Sequence, residues 1–127
     1  MVESLDGGVI VVAEQGGRIV GELHAYPYRQ RRLDHVLSHL TIAVHPDAQG
    51  QGLGRRLFES LLTEVLEHRP RITRIELICQ ESNTRALALY ESLGFRREGR
   101  LEEGIKAAAG GLENDIPMGW LRSRAGS

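Results

Sequence analysis

Gln49-Gly50-Gln51-Gly52-Leu53-Gly54 stands between an apolar run, Leu40 to Val44, and a stretch where Leu53, Leu57, Phe58, Leu61, Leu62, Val65 and Leu66 recur at helical spacing. A strand that enters a helix through glycines brings together the N–H groups that a first helical turn leaves unpaired, at the positive end of the helix dipole. With no side chains at Gly50, Gly52 and Gly54 to hold an anion off, the pattern predicts a diphosphate cradle built mostly from backbone. A dinucleotide fingerprint, G-x-G-x-x-G, fails because Arg55 occupies its sixth place, and a Walker loop would need Gly-Lys-Ser/Thr. A glycine turn with no ligand is the plain alternative.

The remaining reading is Gln/Arg-x-x-Gly-x-Gly, met by Gln49, Gly52 and Gly54. One strand after the helix comes Asn83-Thr84-Arg85-Ala86-Leu87-Ala88-Leu89-Tyr90-Glu91-Ser92-Leu93-Gly94-Phe95, which fits N-x-x-A-x-x-x-Y-x-x-x-G-F. Together, in this order, the two motifs resemble those of the GNAT superfamily of N-acetyltransferases. The resemblance runs from about Val9 to Trp120 and is sharpest over Ile42 to Phe95.

That resemblance implies an acetyl-CoA-dependent N-acetyltransferase. The backbone of Ile42, Ala43 and Val44 would bond the pantetheine amides, with the Val44 amide polarising the thioester oxygen. Gln49, Gly50, Gln51, Gly52, Leu53, Gly54 and Arg55 would hold the diphosphate. Asn83 would reach the pantetheine arm, besides capping its own helix. Tyr90 would protonate the departing thiolate, since a phenol with reference pKa ~10 keeps its proton at neutral pH; packing on the helix's inner face is its plain role. An ammonium acceptor must also lose a proton. His24, His39, Glu22 and Glu76 lie on expected strands, and His39 and Glu76 are selected as base candidates. Relatives that acetylate peptide N-termini often carry a glutamate on the strand that here holds Ile78. No metal is implied.

Around these motifs the elements read as follows. Val9 to Ala13 is a β-branched strand, Gly16-Gly17 a turn, Arg18 to Tyr28 a second strand that ends or becomes an edge at Pro27. Arg29 to Asp34 is a loop and Leu37 to Val44 a third strand. The long helix ends at Pro70, Ile72 to Cys79 is a fourth strand, and a short helix runs to Leu93 with Gly94 as its left-handed cap. Phe95 starts a fifth strand, Ala107 to Gly111 is flexible, and Ile116 to Leu121 is the last strand. The segments Arg29 to Val36 and Leu101 to Glu113 are expected as acceptor-site loops. The expected fold is α/β (α+β), a mixed, largely antiparallel sheet with helices on its faces, like the acyl-CoA acyltransferases of the superfamily but shortened at its N-terminus. One domain is expected over 1–127, with its core at 8–121 and a loose tail at 122–127.

Composition sets the wider limits. The 127 residues are 41% apolar and 26% charged, as in ordinary globular domains. A formal net charge of −1 argues against nucleic acid as a partner. No apolar run is long enough to span a bilayer and no leader pattern opens the chain, so the cytoplasm is expected. Cys79, the single cysteine, sits in an apolar run and reads as a buried small hydrophobe. The acceptor is expected to be a small-molecule or peptide amine, and edge strands near the C-terminus allow a homodimer. A non-catalytic acyl-CoA-binding module or partner subunit is the second function class; a nucleotide-phosphate binder is a third.

Overall fold

A computed structural model describes residues 2–5 and 7–125, which group into two compact units divided in sequence between Thr73 and Arg74. In the first unit β1 (Val2–Leu5), β2 (Gly8–Gln15), β3 (Arg18–Pro27) and β4 (Val36–Val44) pair antiparallel in that order. Helix α1 (Leu53–His68) packs on one face of this sheet.

The reason for that packing is the alternation of β2 and β3. Val9 and Val11 stand opposite Ala25 and Leu23, and all four are buried on the face that meets Leu57, Phe58, Leu61 and Val65 of α1. Gly21 lets the helix come close: a Cβ there would lie 3.3 Å from Leu57 Cδ1. Glu22, His24 and Tyr26 take the alternate positions and turn to the opposite face. β4 carries a bulge. His39 and Leu40 together face Ala25, and His39 adopts φ 54, a left-handed conformation uncommon outside glycine.

In the second unit β5 (Arg74–Gln80) and β8 (Leu112–Leu121) form the central antiparallel pair. Ile75, Leu77 and Cys79 face Trp120, Met118 and Ile116, and these six make its buried layer. Along the other edge of β8 lie β6 (Arg96–Arg97) and β7 (Leu101–Lys106). Helix α2 (Thr84–Ser92) buries Leu87, and Gly94 at φ 103 closes its end as a left-handed cap. The fold class is thus α/β (α+β), largely antiparallel, with helices on sheet faces.

Several boundaries depart from expectation. A strand, β1, precedes the one expected first. The segment Leu101 to Glu113 forms most of the β7–β8 hairpin, whose turn is closed by Ala107 N–H to Gly111 O at 3.0 Å. A bulge with Glu103 at φ 54 breaks the alternation between Leu101 and Ile105, which hid the strand from a period-two reading. Residues 122–125, expected as tail, form the short helix α3 (Arg122–Ala125), tied back by Arg124 Nη2 to Gly119 O at 3.0 Å. The rest of that tail lies outside the described residues. Among the described residues no helix is long and apolar enough to cross a membrane.

Phe58, fully buried against the first sheet, is expected to dominate its stability. Phe58→Ala should cost about 3–5 kcal/mol in urea unfolding, against well under 1 kcal/mol for a change at an exposed α1 position such as Glu59→Ala.

Candidate active site

The end of β4 carries the first part of the site. His45 N–H donates to Val20 O at 2.7 Å, with Gly21 opposite Val44 and Glu22 opposite Ala43. Antiparallel alternation then turns the N–H and C=O of Ala43 toward β3 and those of Ile42 and Val44 away from it. Ala43, expected to offer its backbone alongside them, is therefore occupied by the ladder. Gln49 Nε2 reaches back to Val44 O at 3.2 Å, so its side chain braces the turn.

A 3-10 turn at Pro46–Ala48 leads into the glycines, with the Asp47 N–H donating to His45 Nδ1 at 3.1 Å. Ala48 is buried with Val20 and Leu53, which pins the turn to the helix start. Gly50 and Gly52 have φ 80 and 75, and a Cβ on either would meet nothing within 4 Å. Glycine is needed at both for the positive φ rather than for room inside the protein. The Arg56 N–H makes the first helical bond, to Gly52 O at 3.2 Å. Among the described residues, the N–H groups of Gly50, Gln51, Gly52, Leu53 and Gly54 meet no protein acceptor. Arg55 is exposed in the first turn. The β2–β3 turn flanks this loop, with Gln15 Nε2 on Gln51 Oε1 at 2.8 Å and Arg18 Nη2 3.2 Å from His45 Nε2.

The second unit holds the other expected groups. Asn83 caps α2, its Oδ1 accepting the Ala86 N–H at 3.2 Å. Tyr90 is half-buried on the same helix, with its ring tilted against Phe95 at 6.2 Å. Burial, and secondarily Cys79, push its phenol above the ordinary value, so it stays protonated at neutral pH. Cys79 is buried, and burial likewise raises its thiol, which keeps it from acting as a thiolate.

The two base candidates fare differently. Glu76 accepts from Arg74 Nη2 at 2.9 Å and Nε at 3.2 Å, and the same guanidinium grips Glu98 at 2.6 and 2.8 Å. Glu76 thus shares the Arg74 guanidinium with Glu98. His39 is exposed at the bulge, edge-on to Tyr28 at 5.4 Å, with no carboxylate partner among the described residues. Glu22 and His24, by contrast, meet at 2.6 Å on β3. Their spacing of two on a strand was the available signal for that meeting, as it was for Arg74 and Glu76. No cluster of metal-binding side chains occurs among the described residues.

The family model described as Acetyltransferase (GNAT) family matches residues 2–95. The chain belongs to the GNAT family. Among curated GNAT relatives, the [ribosomal protein bS18]-alanine N-acetyltransferase of Escherichia coli strain K12 is 41% identical over 98 residues, covering 77% of this chain and 64% of the relative. The chain thus spans just under two thirds of that relative's length. The phosphinothricin N-acetyltransferase of Alcaligenes faecalis is 33% identical over 99 residues, covering 77% of this chain and 50% of the relative. A GNAT-family acetyltransferase structure from Streptococcus pneumoniae superimposes with a TM-score of 0.84 at 28% identity, over 93% of this chain and 69% of that one.

GNAT acetyltransferases use acetyl-CoA, and the loop of this chain fits a diphosphate: unpartnered amides lie at the positive end of a 16-residue helix, with open space beside Gly50 and Gly52.

The Arg74 network carries a pH signature. Arg74 bonds the Glu98 carboxylate and so holds it below the usual range. A group lowered in this way contributes stability above its unfolded value, ~4.3, which is lost as the pH falls through the folded value. Glu98→Gln is expected to flatten the acid limb of the stability curve in urea melts between about pH 3 and 5. An equally steep limb in the variant would contradict this assignment.

Proposed function

We propose that this chain transfers an acetyl group from acetyl-CoA to a primary amine, with the diphosphate held by the backbone from Gln49 to Arg55. The observation that carries this reading is the run of amides from Gly50 to Gly54 left without protein acceptors at the start of α1. Acetyl-CoA supplies the acyl group already activated as a thioester. In this reading the outward-turned backbone of Ile42 and the Val44 N–H meet the pantetheine and the thioester as an added strand would, the Val44 N–H polarising the carbonyl oxygen; the register with β3 supports it by leaving them free of that ladder. In this reading Asn83 contributes to the pantetheine arm while capping α2, and Tyr90 donates the proton that the departing sulfur takes.

The raised Tyr90 phenol supports that role in one respect and limits it in another. It guarantees the protonated form at neutral pH, but a weaker acid gives up its proton less readily. The transfer therefore favours a moment when thiolate charge has largely formed. For the acceptor, the 41% likeness to an enzyme named for a ribosomal-protein alanine favours a peptide or protein amine over a small molecule. A cytoplasmic setting follows from that choice.

Tyr90→Phe is expected to lower turnover more than about tenfold while acetyl-CoA affinity, by calorimetry, stays within about twofold. Unchanged turnover would remove Tyr90 from the mechanism. Acetyl-CoA binding with no thiol release on any amine, alanyl peptides included, would instead identify a non-catalytic acyl-CoA-binding module.

Gly52→Val should weaken acetyl-CoA binding, because a β-branched residue does not hold φ 75 and the amides it orients would turn. Equal affinity in that variant would argue that the loop is not the cradle.

A further inference from the structure

On the face of the first sheet turned away from α1, Glu22 and His24 form the closest histidine–carboxylate pair among the described residues, His24 Nδ1 lying 2.6 Å from Glu22 Oε1. A carboxylate accepts and does not donate, so it selects the tautomer with the proton on Nδ1 and leaves Nε2 with a lone pair. Tyr26, two residues on, supports the ring at 5.7 Å. The pair is half-exposed, with 31% and 47% of the two side chains accessible, so a substrate can reach it.

Its neighbours place it one strand away from the outward-turned backbone of Ile42. Across on β4, Thr41 stands opposite His24 and Ala43 opposite Glu22, which brackets Ile42 and its outward-turned backbone. Across on β2 stand Ile10 and Val12. The side chains directly opposite the pair, Ile10, Val12, Thr41 and Ala43, carry no charge, and the titratable side chains of the two flanking strands are Glu14 on β2 and His39 on β4.

We propose that His24 Nε2 is the general base that deprotonates the acceptor, and that Glu22 is a positioning residue holding its tautomer; this rests on the transferase reading above. An alkylamine at neutral pH is mostly an ammonium and has no lone pair with which to attack. Nε2 takes one proton from R–NH3+, and the freed pair forms the N–C bond to the acyl carbon as the C–S bond breaks. The nitrogen's second proton restores the one Tyr90 gives to the departing sulfur, and His24 returns the first to water. The substrate class follows: an aliphatic ammonium, such as a peptide N-terminus, drawn over this face by the Glu22 carboxylate.

The test is the pH profile of kcat/KM for wild type, His24→Gln and Glu22→Gln with an alanyl peptide, beside 15N spectra of the His24 ring in the free protein. His24→Gln should lose about 100-fold or more near pH 7 and recover to within about threefold near pH 9.5, where the amine has shed its own proton. Glu22→Gln should lose less and shift His24 toward the Nε2–H tautomer. A His24→Gln profile equal to wild type, or reduced by one factor at every pH, overturns the proposal and leaves the transferase reading standing. A wild-type His24 protonated at Nε2 and bare at Nδ1 overturns it without any assay of activity. If wild type acetylates no amine at any pH, the transferase reading fails and this proposal fails with it.

Discussion

Amides that a helix cannot pair internally are the constraint on which this molecule turns. Water satisfies such groups at most helix starts, and here the chain instead gathers them at one place. Gly50 and Gly52 hold left-handed angles, Ala48 and Leu53 anchor both ends of the turn in the core, and Gln49 braces it against Val44. The loop is exposed while its frame is buried, so the donors keep their directions without a ligand to order them. That preorganisation is what a diphosphate site needs from a protein with no lysine in the loop.

The rest of the first unit serves the same end. The α1 stripe of Leu57, Phe58, Leu61 and Val65 fastens the helix to β2 and β3, and Gly21 allows the close approach. Because β3 alternates, the residues it does not bury, Glu22, His24 and Tyr26, are delivered to the other face, next to β4. One strand therefore both seats α1 and presents the Glu22–His24 pair on the opposite face. The second unit works through charge as well as packing: Arg74 binds Glu76 and Glu98, while Arg100 and Asn114 hold Glu81 at 2.8–3.1 Å near the start of α2.

Legibility in the sequence followed the physics of each signal. The helix at Leu53–His68 was readable because many apolar residues repeat at one period, and the glycine turn before it because glycines recur between a strand and a helix. The Asn83 cap and Gly94 left-handed cap were readable from local hydrogen-bonding chemistry. β7 was not, since its bulge at Glu103 breaks the alternation, and neither was the bulge at His39, where no glycine announces a positive φ. The pairing of Glu76 with Arg74 was open to a reading of their spacing on one strand, but the sharing of that guanidinium with Glu98, 24 residues away, was not. Which backbone groups of Ile42, Ala43 and Val44 are available depends on register, a property of the pairing with β3 rather than of the residues.

The most direct measurement is a backbone 1H–15N titration of the protein with coenzyme A. The account predicts saturable binding in which the amide protons of Gly50, Gln51, Gly52, Leu53 and Gly54 move downfield more than any others, as they acquire phosphate oxygens as acceptors. Saturable binding that leaves those amides in place, or no binding at all, would contradict it.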